Sequence, residues 1–177
     1  MKNTHLDNFR AWYTQILEGL YSKQDAGFAI LMISFPLLER YLREKSGVHE
    51  GKLNGLFYSE LQKIIPALTS IESATQFWQV YRNGLLHQVT LSRKDHKGIE
   101  MPIGWLHQDA DLLSLDTGGG FKVHPVKFSK KVIDVIEKDF GVFEGPNSPN
   151  HPLPKEDFIT SGTSSMDFSR KNKGDYK

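Results

Sequence analysis

The sequence predicts a mainly α protein, a helical bundle with a small β-hairpin insertion before the last helix. Apolar residues recur at spacings of three and four through residues 1–88, which is the period of one face of an α-helix. After Gln88 this period is lost, and short apolar runs separated by glycines replace it. The length of 177 residues fits one domain, which we place at residues 1–143 with the strand-rich insertion at 89–126.

Two apolar stripes predict the first two helices. The first stripe, which predicts the buried face of the first helix, consists of Phe9, Trp12, Ile16 and Leu20. The second and wider stripe consists of Phe28, Leu31, Met32, Phe35, Leu38 and Leu42. Pro36 lies inside this second stripe, and its missing amide and ring clash predict a kink or a split of the helix into two pieces.

A third and a fourth helix follow. The third is short and is predicted over about 58–65, ended by Pro66. The fourth begins near Thr69, because Thr69 and Glu72 have the spacing of a capping box. Its apolar stripe consists of Ile71, Ala74, Trp78, Tyr81 and Leu85, and the helix should run to about Gln88.

The insertion and a last helix complete the domain. Residues 89–106 indicate two short strands around the turn DHKG, and residues 114–128 a second strand-rich segment around three glycines. The last helix is predicted over about 129–140. Residues 144–177 carry four prolines near their start and have no apolar period, which predicts a disordered or peripherally placed tail. The alternative is a peptide that docks on a partner or on the domain itself.

Composition excludes several classes of protein. Lys and Arg total 22 and Asp and Glu total 21, a balance that excludes histone-like, polybasic binding of nucleic acid. The sequence contains no cysteine, which excludes disulfides, thiolate nucleophiles, zinc fingers and iron–sulfur clusters. No apolar run reaches the length of a membrane span and the N-terminus lacks a signal segment, so we expect a cytoplasmic protein with no membrane partner.

The best candidate for chemistry is the end of the fourth helix, YRNGLLHQ at 81–88. Asn83 and His87 are four positions apart, so an α-helix places both on one face, and Arg82 is long enough to reach it. His87 could act as general acid or base, Arg82 could hold a phosphate, and Asn83 could orient the phosphate or the imidazole. Cleavage of RNA by its own 2′-hydroxyl requires such a set of groups.

The spacing alone is a weak signal, because chance produces similar matches. Arg43 and His49 form a second and looser one. The alternative that assigns no function to Arg82, Asn83 and His87 is a solvated end of a helix, where the helix dipole favours a cation. The capped aromatic helix and the apolar residues that flank the motif favour a functional site.

The pattern Arg82-Asn83-x-x-x-His87 near the end of a long helix resembles the signature of the HEPN superfamily, the higher eukaryotes and prokaryotes nucleotide-binding domain. The resemblance covers about residues 1–143. The upstream segment FPLLER at 35–40 is similar to the second helix of such domains, where an acidic residue often supports the catalytic arginine. The resemblance therefore implies that Glu39 has this supporting role.

The resemblance also implies an activity. It implies a metal-independent endoribonuclease without a cofactor, acting in a prokaryotic defence or toxin–antitoxin context on an RNA substrate. It implies a homodimer in which two copies of the motif face each other, and products with a 2′,3′-cyclic phosphate and a 5′-hydroxyl. An antitoxin or regulatory protein is then a further partner. The alternative is a non-catalytic helical module that binds a protein partner or a nucleotide.

Three other patterns have simpler explanations. Asp-Thr-Gly at 116–118 resembles the active-site triplet of aspartic proteases, but such an enzyme needs a mostly β scaffold, so a tight turn explains it better. His107, Asp109 and Asp111 alternate and could ligate a metal if extended, although a polar loop fits the segment better. The glycines at 118–120 lack a following Lys-Ser/Thr and form no P-loop. We predict no metal and no cofactor.

Overall fold

The computed structural model describes residues 4–88, 104–108, 111–116, 119–143 and 152. Over these ranges the protein is mainly helical with a small three-stranded sheet, which confirms the fold class at that level. The helices are α1 (Thr4–Phe9), α2 (Gln15–Tyr21), α3 (Gly27–Ser46), α4 (Gly55–Ile64), α5 (Ile71–Trp78) and α6 (Pro125–Lys138). The strands are β1 (Gly104–Leu106), β2 (Leu113–Leu115) and β3 (Phe121–Val123). None of the helices in the described ranges has both the length and the hydropathy needed to cross a bilayer.

A π-helical segment, Arg10–Thr14, joins α1 to α2 and shifts the buried face. The predicted stripe is wrong at two positions, because Trp12 is 42% exposed and Ile16 is 53% exposed. Between Thr4 and Tyr21, the fully buried residues are Phe9 and Leu17. A π-turn contains one residue more than an α-turn, so the residue that returns to the core lies one position later than α-helical periodicity predicts.

Helix α3 runs through Pro36 as one helix, so of the two predicted effects of this proline the split does not occur. Its buried face includes Phe35, Leu38 and Leu42, as predicted, whereas Phe28 and Met32 are exposed. The helix ends at a glycine, Gly47, in the left-handed conformation with φ of 68°. The largest packing interface of α3 is with α6.

The starts of α4 and α5 differ from the predicted ones by a few residues. Asn54 caps α4, since its side-chain oxygen accepts hydrogen bonds from the amides of Leu56 and Phe57. A capping box is present at α5, but Ser70 and Ser73 form it instead of Thr69 and Glu72. The predicted stripe of this helix is confirmed at Ala74, Trp78, Tyr81 and Leu85, which are all buried, whereas Ile71 is exposed.

The sheet has the order β1-β3-β2. The predicted hairpin around the glycines is confirmed by the antiparallel pair β2–β3, in which Leu113 lies opposite Val123. The turn between the strands is closed by a 2.8 Å hydrogen bond from the Asp116 amide to the Gly120 carbonyl. The two strands predicted within 89–106 lie largely outside the described residues, but the last three residues form β1, which pairs with β3 in parallel.

The last helix, α6, begins four residues earlier than predicted. His124 is its N-cap and Pro125 its first residue, where a proline loses no helical hydrogen bond. A 3₁₀-helix at Phe140–Phe143 follows and packs on α3. Of the predicted tail at 144–177, the structure describes Pro152, whose carbonyl accepts a 2.8 Å hydrogen bond from the Tyr13 hydroxyl.

Candidate functional site

Arg82 is held by a carboxylate on the neighbouring helix. Its Nε lies 2.7 Å from Oε2 of Glu39, a residue in the middle of α3. The Arg82 side chain is 24% exposed and that of Glu39 is 12% exposed, so water screens this ion pair less than a surface pair. The arrangement is not that of a freely solvated arginine at a helix end.

A second arginine shares the same carboxylate. The other oxygen of Glu39, Oε1, accepts from Arg43 Nε at 3.1 Å and lies 3.0 Å from Arg43 Nη2. Arg43 is held in turn by the Val48 carbonyl, which accepts from its Nη1 at 3.1 Å. One carboxylate thus pairs with two guanidinium groups. Because two positive charges face one negative charge, the cluster Glu39–Arg43–Arg82 has a net positive charge.

Asn83 extends the cluster toward the surface. Its side-chain carbonyl oxygen, Oδ1, accepts a 3.2 Å hydrogen bond from Arg82 Nη1. Asn83 itself is exposed. Glu39 and Asn83 therefore act on two different nitrogens of one guanidinium group, which fixes the plane of that group.

The motif lies in a second π-helical segment, Gln79–Gln88, which continues α5. In an α-helix, a residue five positions further along is rotated by about 140°. In a π-helix the backbone hydrogen bond joins residues five apart, so position 87 starts the next turn on the same side as position 82. The side chain of His87 lies outside the described residues. The backbone winding brings the Arg82 and His87 positions to one side of the helix.

Tyr81 attaches the sheet to the motif segment. Its buried hydroxyl oxygen lies 2.7 Å from the carbonyl oxygens of both Trp105 in β1 and Phe121 in β3, and accepts a 3.0 Å bond from the Trp105 amide. Gly104 allows this close approach, because a Cβ there would lie 2.7 Å from Val80 Cγ1. The residue that precedes Arg82 thus binds strands β1 and β3 of the sheet.

We expect Tyr81→Phe to lower the free energy of unfolding by about 1–3 kcal/mol, because it leaves buried backbone groups without a partner. Burial raises the pKa of Tyr81, although backbone hydrogen bonds with Trp105 and Val123 lower it. A folded-state pKa above the unfolded one contributes stability that is complete below about pH 10 and is lost as the pH rises further. Denaturant unfolding at several pH values should therefore show the difference between wild type and variant shrinking above about pH 10.

The other tyrosines contribute the same pH dependence to both proteins, so the difference isolates Tyr81. Tyr13→Phe, which removes a hydroxyl bound to one carbonyl, is the matched control. A Tyr81→Phe variant with wild-type stability at neutral pH would contradict the attachment described here.

Sequence reasoning named Arg43 as part of the looser match with His49 but missed its ion pair with Glu39, and it did not consider Tyr58. Arg43 could have been found from its spacing, because Glu39 and Arg43 are four apart on one helix. Tyr58 had no sequence signal. Burial raises the pKa of Tyr58, a hydrogen bond with Thr75 lowers it, and the charge of Glu39 raises it.

The other candidate residues are dispersed. Asp116 makes an ion pair with Lys122 at 2.9 Å and closes the β2–β3 turn, while Thr117 and Gly118 lie outside the described residues. Asp109 also lies outside them. Among the residues that the structure describes, no group of three or more metal-ligating side chains is placed to hold an ion.

Comparisons with known proteins give no independent assignment. The chain matches no protein-family model, no curated protein and no solved structure. The HEPN resemblance of the motif stays a prediction.

Proposed function

We propose that this protein is a metal-independent, HEPN-type endoribonuclease whose catalytic residues are Arg82 and His87. The observation that carries the proposal is the 2.7 Å ion pair between Arg82 and Glu39 across two helices. A solvated helix end does not require this restraint, whereas a guanidinium group that must meet a phosphate benefits from a fixed plane.

The reaction uses the 2′-hydroxyl of the RNA as its nucleophile. The 2′-oxygen forms a bond to the adjacent phosphorus while the bond from phosphorus to the 5′-oxygen breaks. One proton leaves the 2′-hydroxyl and one is added to the leaving 5′-oxygen; His87 transfers one of these protons and water transfers the other. Arg82 binds the phosphate oxygens, whose charge increases in the transition state, and Asn83 holds Arg82 Nη1. The products are a 2′,3′-cyclic phosphate and a 5′-hydroxyl.

Glu39 is a positioning residue in this proposal. It touches Arg82 and Arg43, and the net positive charge of the three groups favours a phosphate nearby. A single helix face is too shallow to surround a scissile phosphate, so we propose a homodimer in which two motifs face each other. The protein would act in the cytoplasm, in a defence or toxin–antitoxin system in which an antitoxin or regulatory protein restrains it.

The test is incubation of the purified full chain with mixed RNA in EDTA, with analysis of the product ends. We expect cleavage with cyclic phosphate ends in the wild type and its loss in His87→Ala. His49→Ala is the matched control, since His49 lies at the end of the looser match and its side chain is 45% exposed. This control should cleave as the wild type does.

Two outcomes would overturn the proposal. Cleavage by His87→Ala at the wild-type rate would place the chemistry elsewhere. No cleavage by a folded wild-type dimer of any RNA, including RNA from its own host, would favour the alternative of a non-catalytic module that binds a protein or a nucleotide.

A further inference from the structure

A cavity of about 800 Å³ opens between the connection from α2 to α3, the carboxyl end of β1 and the start of α6. Its size lies within the range of about 300–1,000 Å³ for small-molecule sites. The three elements meet at Gly27, where a Cβ would lie 3.2 Å from both Leu106 Cδ1 and Pro125 Cγ. Neither Arg82 nor Glu39 lines the cavity, so it is separate from the candidate catalytic site.

Two histidines lie side by side at the edge of this cavity. The parallel register pairs Leu106 with Val123, and the hydrogen bond from the His107 amide to the Val123 carbonyl continues the ladder. His107 and His124 are therefore the next residues on two neighbouring strands, about 4.8 Å apart in the pairing direction. The carboxyl ends of parallel strands are where ligands bind in open sheets, because the loops diverge there and leave a crevice.

The orientation of His124 suits it to an anion. Its Nδ1 atom accepts a hydrogen bond from the Lys127 amide at 3.4 Å at the start of α6. In a neutral imidazole the proton then lies on Nε2, which makes this nitrogen a donor. The dipole at the start of a 14-residue helix adds a favourable field for negative charge.

Polar groups at the end of α2 and in α6 lie beside the cavity. The Tyr21 hydroxyl lies 3.0 Å from Ser129 Oγ, and Lys130 Nζ lies 5.3 Å from the centre of the Tyr21 ring. A 3.2 Å hydrogen bond from the Ala26 amide to the Lys23 carbonyl closes the connection from α2 to α3. Tyr21 and Lys23 both line the cavity. Because Lys130 lies over the Tyr21 ring, two lysines, Lys23 and Lys130, lie at or beside the cavity wall.

The lining also contains one phenylalanine, several apolar residues and the uncharged polar residues Ser22, Gln24 and Gln108. Phe28, in the first turn of α3, lines the cavity although its ring is 40% exposed, and Ile30, Leu106 and Val126 add apolar surface. Among the described residues that line the cavity, Asp25 is the acidic one. An exposed aromatic ring beside a group of cations and donors suits a ligand with a flat base at one end and a phosphate at the other.

We infer that this cavity binds a nucleotide, with its phosphate at His107, His124 and Lys23, its base against Phe28, and Asp25 accepting from a sugar hydroxyl. This site is independent of the proposed cleavage reaction. The nucleotide can be a free mononucleotide or one residue of a nucleic acid chain, and both present the same chemistry to the cavity.

The test is calorimetric titration of the full chain with adenosine 5′-monophosphate. We expect saturable binding with one site per chain, weakened about tenfold or more in Phe28→Ala, as expected for loss of one stacking contact. Lys23→Glu and His107→Ala should weaken it by a similar factor. Met32→Ala and Lys52→Glu are the matched controls, since both residues are exposed and neither lines the cavity. Arg82→Ala should bind as the wild type does, which separates this site from the catalytic one.

Further titrations identify the source of the nucleotide. Adenosine and inorganic phosphate should each bind more weakly than the monophosphate, because each lacks one end of the ligand. Tighter binding of a short oligodeoxyadenylate, lost in the same variants, would assign the site to a nucleic acid chain. Absence of binding by every probe, or binding that Phe28→Ala and Lys23→Glu leave unchanged, would overturn the inference. These two residues are exposed, so this outcome does not depend on whether His107→Ala folds.

Discussion

Replacing Arg82 with Lys should reduce the rate constant of RNA cleavage by about 10²–10³-fold, the loss typical of one donor to a developing negative charge. The variant keeps the positive charge but loses the planar fork that meets two phosphate oxygens. It also loses the Nε–H that Glu39 Oε2 accepts at 2.7 Å. A lysine ammonium group that pairs with Glu39 is no longer placed to bind the phosphate. Single-turnover cleavage of one defined RNA measures the effect.

The fold should survive this change, because Glu39 keeps its 3.0 Å ion pair with Arg43 and no buried charge is left alone. Arg40→Lys is the matched control, since Arg40 lies beside Glu39 in α3 and is exposed. If Arg82→Lys cleaves as fast as this control, Arg82 does not contact the phosphate. Glu39→Gln should show a smaller loss, and its effect should not add to that of Arg82→Lys, because both act through the same contact.

Phe35→Ala should lower the free energy of unfolding by about 3–5 kcal/mol, the usual cost of removing a buried aromatic ring. The Phe35 ring is fully buried at the centre of the aromatic core. Its centroid lies 4.6 Å from that of Phe128 in α6, 5.6 Å from that of Trp78 in α5 and 6.2 Å from that of Tyr81. The space left by the missing Phe35 ring would lie between three helical elements, so local relaxation can close little of it. Denaturant unfolding followed by tryptophan fluorescence measures the loss.

Phe28→Ala is the matched control on the same helix, two turns away. Phe28 is 40% exposed, so we expect a smaller loss of about 1 kcal/mol. Equal losses in the two variants would mean that the aromatic cluster does not carry the packing between α3 and α6.

The helical class could be predicted from local periodicity, because burial repeats with the helix. The α5 stripe at Ala74, Trp78 and Tyr81 shows this best. Periodicity failed at Trp12 and Ile16, since the π-helical segment shifts the face by one residue and no residue in it signals the change. The start of α6 was missed because His124 is not among the usual N-cap residues.

The site required information that periodicity does not contain. Glu39 and Arg82 are 43 residues apart in the chain, and no local rule brings them together. The family resemblance implied this pair, and packing of α3 against the motif segment produces it. The parallel pairing of β1 with β3 was missed for a similar reason. Strands that follow each other in the chain usually pair with each other, whereas β1 pairs with β3 and not with β2, the next strand in the chain.

The hydroxyl of Tyr81 makes one amide proton a reporter on the attachment of the sheet. The Trp105 amide donates to a side chain of the motif segment instead of to a neighbouring strand. Its exchange with solvent deuterium therefore requires β1 to detach from Tyr81, whether or not the helices unfold. Exchange of Trp105 at the rate of global unfolding would mean that the insertion and the helices form one cooperative unit. Faster exchange would give the free energy of detachment of the sheet alone.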